Sequence, residues 1–368
     1  MKKISILTIH FGVNHGSALQ AFALYYFIKK IGCKCVVINY IPKRYALWNV
    51  VTKGKKGKYP LFIILGYFIL SMPKKIKQRR IFSKFLSKNV ELTKKISDSK
   101  ELESTTKWTD MYIVGSDQVW NYDYNEKKDY SYFLDFAKKD QRKIAYAASI
   151  GKDNISDNEK EIFKKYLENF FAISVREDKA KDILESIGVQ ATHVLDPTFL
   201  LTKFEWKQFF THRLRYSEKY LVVYVMDFLY QQLLDIAEKV AKEINCKIYV
   251  VSFKKIRDYR ADKEFINLNP FEFLELLYYS EFVVTNSFHG TAFSINFNKQ
   301  FIALGKNNYN SRIKSLVKMF ALEKRYIEMD EIFSRDIIRN KIDYTQVNLK
   351  LEIERKKSIC FIENGIKV

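Results

Sequence analysis

The sequence predicts an α/β protein built as two similar halves facing a central cleft. Three observations carry this. Short apolar, β-branched runs alternate with amphipathic helical patterns along the chain, and the alternation restarts after residue 203. The 368-residue length suits two domains of roughly 150–180 residues each rather than one.

The elements follow in order. KISILTIH reads as a buried strand, Ser17–Lys30 as an amphipathic helix and CKCVVINY as a second strand. After a basic and apolar insertion near 46–94 come the strands MYIVGS and KIAYAASI, a helix from about Asp157, and the strand FAISVRE. A helix over Asp178–Ile187 precedes HVLDPTFLL, which reads as a strand running into a Pro-containing connection. The second half opens with a short helix at Phe204–Phe210 and the strand YLVVYVMD. Gln231–Ile244 (helix), KIYVVSF (strand), Pro270–Tyr279 (helix), FVVTNS (strand), a helix from Gly290, FIAL (strand) and Ser311–Phe320 (helix) complete it. The expected division is 1–202, 203–346, and a charged helix over 347–368 that packs back on the first half. Alternation of this kind implies two Rossmann-like parallel sheets, each covered on both faces.

Composition bounds the function. Hydrophobic residues make up 47% of the chain and Gly and Pro are sparse, which fits a folded globular protein. Cys33, Cys35, Cys246 and Cys360 lack metal-ligand spacing and read as reduced thiols. The opening MKKISILTIHFG resembles a signal peptide only superficially, because its apolar run breaks at His10 and Gly12 without a cleavage site; a cytoplasmic protein is expected. The formal charge is +21, lysine far outnumbers arginine, and base-reading motifs are absent, so nucleic acid is excluded as a partner. Two readings of the charge remain: a solvated lysine-rich surface, or attraction to anionic lipid or phosphorylated ligands. The insertion bears on this. Leu61–Met72 is apolar but short of the roughly 20 residues a spanning helix needs, and basic residues flank it, with Trp48, Tyr59 and Tyr67 nearby. It reads as a segment at a membrane surface or as a core helix with a basic rim.

In sheets of this class ligands bind beyond the carboxyl ends of the strands, and four such ends carry polar clusters. F-G-V-N-H-G-S places Asn14, Gly16 and Ser17 between a strand and its helix, which suits an anion or simply a tight turn. V-G-S-D-Q-V-W-N delivers Ser116, Asp117, Gln118 and Trp120; Asp117 is a candidate base and Trp120 a sugar-stacking face, or the pair is a cap and a core residue. S-V-R-E-D ends a buried strand in Arg176, whose fork suits carboxylate or phosphate, or else a neighbouring acid. V-V-T-N-S-F-H-G-T brings Ser287, His289, Gly290 and Thr291 to a helix start, where the histidine is a candidate general acid. Beyond it N-N-Y-N-S-R-I adds Asn310, Ser311 and Arg312, with Ser311 as a helix cap and Arg312 as a second cation. No metal-ligand cluster is evident, so no metal is expected.

Taken together and in order, the N-x-G loop, G-S-D-Q-x-W, S-x-R-E, L-D-P-T and S-F-H-G-T-x-F-S-I followed by N-S-R-I resemble the polysaccharide pyruvyl transferase family. The resemblance covers nearly the whole chain. It implies a fold like the GT-B glycosyltransferases, phosphoenolpyruvate as co-substrate without a cofactor, and a glycan acceptor of the bacterial envelope, in some cases polyprenyl-linked. It implies His289 beside the donor, Arg176 as a donor-holding cation, and Asp117 at the acceptor hydroxyl. One departure stands out. Many members have arginine two positions before the histidine, where this chain has Ser287, and Lys306 or Arg312 is a candidate replacement. A nucleotide-sugar glycosyltransferase of the same architecture and a non-catalytic membrane-associated module are the alternatives.

Overall fold

The computed structural model describes residues 2–46, 61–123, 129–226, 230–305, 311–329, 331 and 333–367. The first sheet contains β1 (Lys3–Leu7), β2 (Lys34–Val37), β3 (Met111–Val114), β4 (Arg142–Ala148), β5 (Ala172–Val175) and β6 (Thr192–His193). Its order is β2-β1-β3-β4-β5-β6. The second contains β7 (Tyr220–Tyr224), β8 (Lys247–Val251), β9 (Lys263–Phe265), β10 (Phe282–Thr285), β11 (Gln300–Gly305) and β12 (Tyr326–Glu328), in the order β12-β11-β10-β7-β8-β9. Every pairing in both sheets is parallel. Central strands such as β3, β7 and β10 are buried at every position, as strands covered on both faces must be.

The covering helices are α1 (His15–Lys30), α2 (Leu61–Asn89), α3 (Asp157–Leu167) and α4 (Asp178–Ser186) in the first half. The second half has α5 (Tyr230–Ile244), α6 (Pro270–Tyr279), α7 (Phe288–Asn296) and α8 (Ser311–Met319), and α9 (Tyr344–Lys367) follows. Local chemistry sets their starts. Asn269 caps α6 in a reciprocal box with Glu272, Pro270 occupies the first turn, and Ser156 with Glu159 does the same for α3.

α9 spans the two halves. Near its start the Tyr344 hydroxyl donates to Ser294 O in α7. Further on, Ser358 Oγ accepts from Leu195 N at 2.9 Å, and the Arg142 guanidinium donates to Gly365 O at 3.1 Å. A Cβ on Gly365 would lie 2.5 Å from Ile144 Cδ1, so the helix backbone rests directly on β4.

One expectation needs correction. In HVLDPTFLL only His193, the end of β6, is strand, because Asp196 accepts from Thr198 N and Oγ1 and turns the chain into a single 3₁₀ turn at Pro197–Phe199. The insertion, open to reading as a membrane-surface segment or as a core helix with a basic rim, is mixed among its described residues. In α2, 29 residues long, Gln78, Phe82, Phe85 and Leu86 are buried, while Ile69 and Leu70 stay exposed. Trp48 and Tyr59 of the insertion, with Lys306 and Asn310, lie outside the described residues.

Candidate active site

Each sheet reverses its winding once, between β1 and β3 and between β7 and β10. A crevice opens where neighbouring strands send their connections to opposite faces, and this is where α/β sheets bind ligands. The connection leaving β1 leads into α1 with Gly16 in its first turn, the loop leaving β3 carries Asp117, and the connection leaving β10 carries Ser287 and leads into α7 with His289 in its first turn. The two reversal points face one another.

The contact is close. A Cβ built on Gly16 would fall 2.0 Å from His289 Nδ1, so only glycine lets the first turn of α1 lie against the imidazole. Asn14 fixes that turn by accepting from Gly16 N (2.8 Å) and Ser17 N (3.3 Å). Ser17 Oγ donates to Asp117 Oδ2 at 2.5 Å. Asp117 has φ of +73°, a left-handed backbone that a non-glycine residue adopts at a cost of about 1 kcal/mol or more, and it turns the carboxylate toward α1.

Beneath lies a buried charge cluster centred on Arg176. Its Nη1 donates to Asp196 Oδ2 (2.9 Å) and Ser116 Oγ (3.2 Å), and its Nε donates to Glu177 Oε1 (3.1 Å). Among the described residues Nη2 makes no hydrogen bond, and it sits 3.7 Å from Asp117 Oδ1. The guanidinium also stacks 4.4 Å from the centre of the Phe288 ring. The side chain is 0% exposed. Arg176 is therefore a brace rather than an open fork facing the cleft, since three carboxylates around the strand end claim it. Asp196 holds its charge although burial works against it: His289, Arg176 and hydrogen bonds from Thr198 and Ser116 bring its carboxyl below the usual range.

His289 Nε2 is buried, makes no hydrogen bond among the described residues, and stands 3.8 Å from Asp196 Oδ2. Burial lowers its pKa, with Arg176 and Arg312 adding to the effect and Asp196 and Asp117 opposing it. The imidazole is thus neutral at neutral pH. Arg312, in the first turn of α8, is close enough to act on it electrostatically.

Other expected site residues have different work. Ser287 caps α7 through Gly290 N, Thr291 N and Oγ1 both donate to Ser287 O, and Gly290 is pressed against Thr285. Gly290 and Thr291 therefore have no donor left for a ligand, because the helix start uses them. Ser116 belongs to the charge cluster. Gln118 accepts from Asn121 beside Gly151. Ser311 lies at the mouth between the halves with Asp178 and Ser315, whose Oγ accepts from Asp178 N at 3.0 Å. Trp120 does not offer a sugar-stacking face. It is 1% exposed, stacks on Phe133 and donates to Tyr132 O, so the core has taken the ring.

Sequence reasoning missed two residues as site components. Asp196 was visible only as part of L-D-P-T. His15 gave no local signal, because its hydrogen-bond partners and the rings it stacks between are more than 200 positions away: it inserts from α1 into the second half, between the Phe253 and Phe273 rings at 5.0 and 4.5 Å. There its Nε2 donates to Leu268 O and its Nδ1 accepts from the Tyr224 hydroxyl. The β1–α1 loop that leads to Gly16 also borders, through Phe11, Gly12 and Val13, a cavity of about 530 Å³ whose other walls include Tyr45, Lys75, Arg79 and Phe82.

The family model for polysaccharide pyruvyl transferase matches residues 14–308, a span that contains Gly16, Asp117, Arg176, Asp196 and His289. The chain belongs to the polysaccharide pyruvyl transferase family. No curated protein matches it by sequence. Among solved structures it is similar to the MnaA protein of S. aureus solved with UDP, at 11% identity and TM-score 0.55, with 100% of this chain and 98% of that one covered. A putative UDP-N-acetylglucosamine 2-epimerase from Listeria monocytogenes follows at 10% identity and TM-score 0.51, covering 95% and 94%. A glycosyltransferase from Rickettsia africae has 10% identity and TM-score 0.51, covering 99% and 97%. At these identities the likeness concerns the fold, and it makes this pyruvyl transferase family member a two-domain protein of GT-B type.

Proposed function

We propose that this protein transfers a pyruvyl group from phosphoenolpyruvate to paired hydroxyls of a sugar in a bacterial envelope or exopolysaccharide glycan, forming a cyclic ketal and releasing phosphate. Phosphoenolpyruvate is a co-substrate in this reading, and no bound cofactor is needed. The observation that carries it is His289: a buried neutral imidazole with a free Nε2, flanked by Arg176 and Arg312 at the meeting of the two reversal points.

The donor's phosphate and carboxylate take Arg312 as their counter-charge, with the buried Arg176 adding its field from behind the carboxylates it braces. Bringing that negative charge beside His289 raises its pKa, so the imidazolium forms with the donor in place. His289 then protonates the methylene carbon. One acceptor hydroxyl adds to the adjacent carbon and gives its proton to Asp117. A second hydroxyl of the same sugar displaces phosphate, which departs with that hydroxyl's proton. The proton on Asp117 returns to solvent and His289 is recharged from it, so the balance closes. The acceptor sugar, polyprenyl-linked in this reading, occupies the 530 Å³ cavity, where Phe11 and Tyr45 supply the ring faces that Trp120 does not.

Phosphate release from phosphoenolpyruvate, with galactose-, mannose- and N-acetylmannosamine-containing acceptors, tests the reading. Acceptor-dependent release that falls by about 10²–10⁴-fold in His289→Gln supports it. Release independent of acceptor, or unaffected by His289→Gln, overturns it. Ser287 favours a second reading, a glycosyltransferase using a nucleotide sugar, because an uncharged residue there lowers the positive charge available to a phosphate- and carboxylate-bearing donor. Calorimetric binding of a nucleotide sugar, with no binding of phosphoenolpyruvate, selects that alternative.

A further inference from the structure

Residues 1–90 contain no Asp or Glu, and the cations of this stretch concentrate on and before α2. The described side chains that bury α2 lie in its second half. From Gln78 onward its buried side chains recur at helical spacing (Gln78, Phe82, Phe85, Leu86), and Gln78 Nε2 donates to Phe253 O and Ile266 O in the second half. Before Gln78 no described side chain of α2 is buried; Ile69 is 59% and Leu70 84% exposed.

The helix also sorts its cations. Lys75 and Arg79 turn toward the cleft cavity, whereas Lys77, Arg80 and Lys84 line an outer groove together with Ile69, Met72 and Ile76. Lys74 is exposed beside them. Apolar side chains standing proud among lysines and arginines, without a carboxylate on the same helix, match the two components of an anionic bilayer surface: acyl chains below and negative headgroups around them. Among the described residues no helix is long and apolar enough to cross a membrane, so this helix would lie on the surface.

We propose that the outer face of α2 between Ile69 and Arg80 docks the protein on an anionic lipid surface, Ile69 and Leu70 entering the headgroup layer and Lys74, Lys77 and Arg80 pairing with lipid phosphates. The proposal concerns a surface distinct from the charge cluster and stands whichever donor the cleft uses. Because the opposite face of the same helix walls the cleft cavity, docking would bring the cavity mouth to the lipid.

The test is co-sedimentation of the full chain with vesicles of phosphatidylglycerol and phosphatidylcholine, against phosphatidylcholine alone, at 0.1 and 0.5 M salt. Binding to the anionic vesicles alone, weakened by salt, is expected. Lys74→Gln/Lys77→Gln/Arg80→Gln should weaken it about 100-fold, at roughly a decade or somewhat less per charge, and Ile69→Gln/Leu70→Gln should weaken it separately. These side chains are exposed, so both variants should keep the wild-type circular dichroism and unfolding midpoint. Equal binding to neutral vesicles, no binding, or binding unchanged in both variants overturns the proposal. So does a dimer in sedimentation velocity that Ile69→Gln/Leu70→Gln dissociates, since a second copy would then cover the patch. Phosphate release measured on a soluble acceptor should be unaffected by either variant, which separates failure here from failure of the transferase reading.

Discussion

Gly16 and His289 meet across the cleft with no room for a single methyl group: the Cβ that alanine would add falls 2.0 Å from the imidazole Nδ1. One residue opens the first helix of the first half and the other lies in the first turn of a helix of the second. Their contact ties the geometry of the candidate acid to how the halves sit together. Gly16→Ala should push the imidazole off its position and lower turnover by at least about 100-fold, a scale expected for displacements near 1 Å. Overpacking should cost only about 1–3 kcal/mol. Turnover and thermal unfolding measured together would check this; wild-type turnover would show that His289 need not sit where it does.

Asp196 and Arg176 are the innermost pair of the charge cluster, and both side chains are fully buried. Removing Arg176 strands the buried Asp196 and Glu177 carboxylates, whereas Arg176 keeps Glu177 and Asp117 when Asp196 is lost. Arg176→Met should therefore destabilise by about 3 kcal/mol in urea unfolding, and more than Asp196→Asn does. Arg176→Met/Asp196→Asn should cost less than the sum of its single changes, because Asp196 is then no longer a stranded charge. Additive losses would mean that the two side chains act independently.

Trp120 separates two roles by measurement. As a core residue packed on Phe133 and Phe163, its replacement by alanine should cost about 3–5 kcal/mol. Trp120→Phe should fold and leave the acceptor KM unchanged. A large rise in KM with unaltered stability would return the ring to the cleft.

His15 predicts a pH dependence. Burial pushes its pKa down to about 3, against about 6.5 in the unfolded chain. Between those values the unfolded chain holds one more proton at this site than the folded one, so stability is lost as the pH falls from 6.5 toward 3. The loss is about 1.4 kcal/mol per pH unit. Burial also shifts His10, His193 and His289 down, so they act in the same direction. His15→Phe should reduce the slope of unfolding free energy against pH by about one proton; an unchanged slope would show that the imidazole titrates normally in the folded protein.

The architecture was legible because it is written in local periodicity. Fully apolar runs such as FVVT and YLVVY can only be strands covered on both faces, and the restart after residue 203 separates the sheets. Short edge strands were not legible: Lys263–Phe265 and Tyr326–Glu328 are three residues each and half exposed, too little for a pattern. In the site, the sequence located the loops that converge, since Asp117, Arg176 and His289 stand at strand ends or at the helix starts beyond them. It did not reveal direction. Whether Arg176 opens to the cleft or closes on carboxylates depends on Asp196, 20 positions away on another connection, and whether Trp120 is core or cleft depends on Phe133 and Phe163. Residue type announces chemistry, whereas orientation is decided by partners that only the fold brings near.

The helix that crosses back to β4 has a consequence for how the protein is made. Arg142 and the Gly365 carbonyl it holds are 223 positions apart. The ribosome therefore exposes the first sheet long before it delivers the segment that covers it. Until then the β4 side chains Ile144 and Tyr146, both buried in the finished molecule, have no lid on that side. The first half can form its strands early but cannot bury them fully alone. Completion of the two halves is a single late event in synthesis, and a nascent chain stalled before residue 344 should be a client for chaperones that recognise apolar sheet surface.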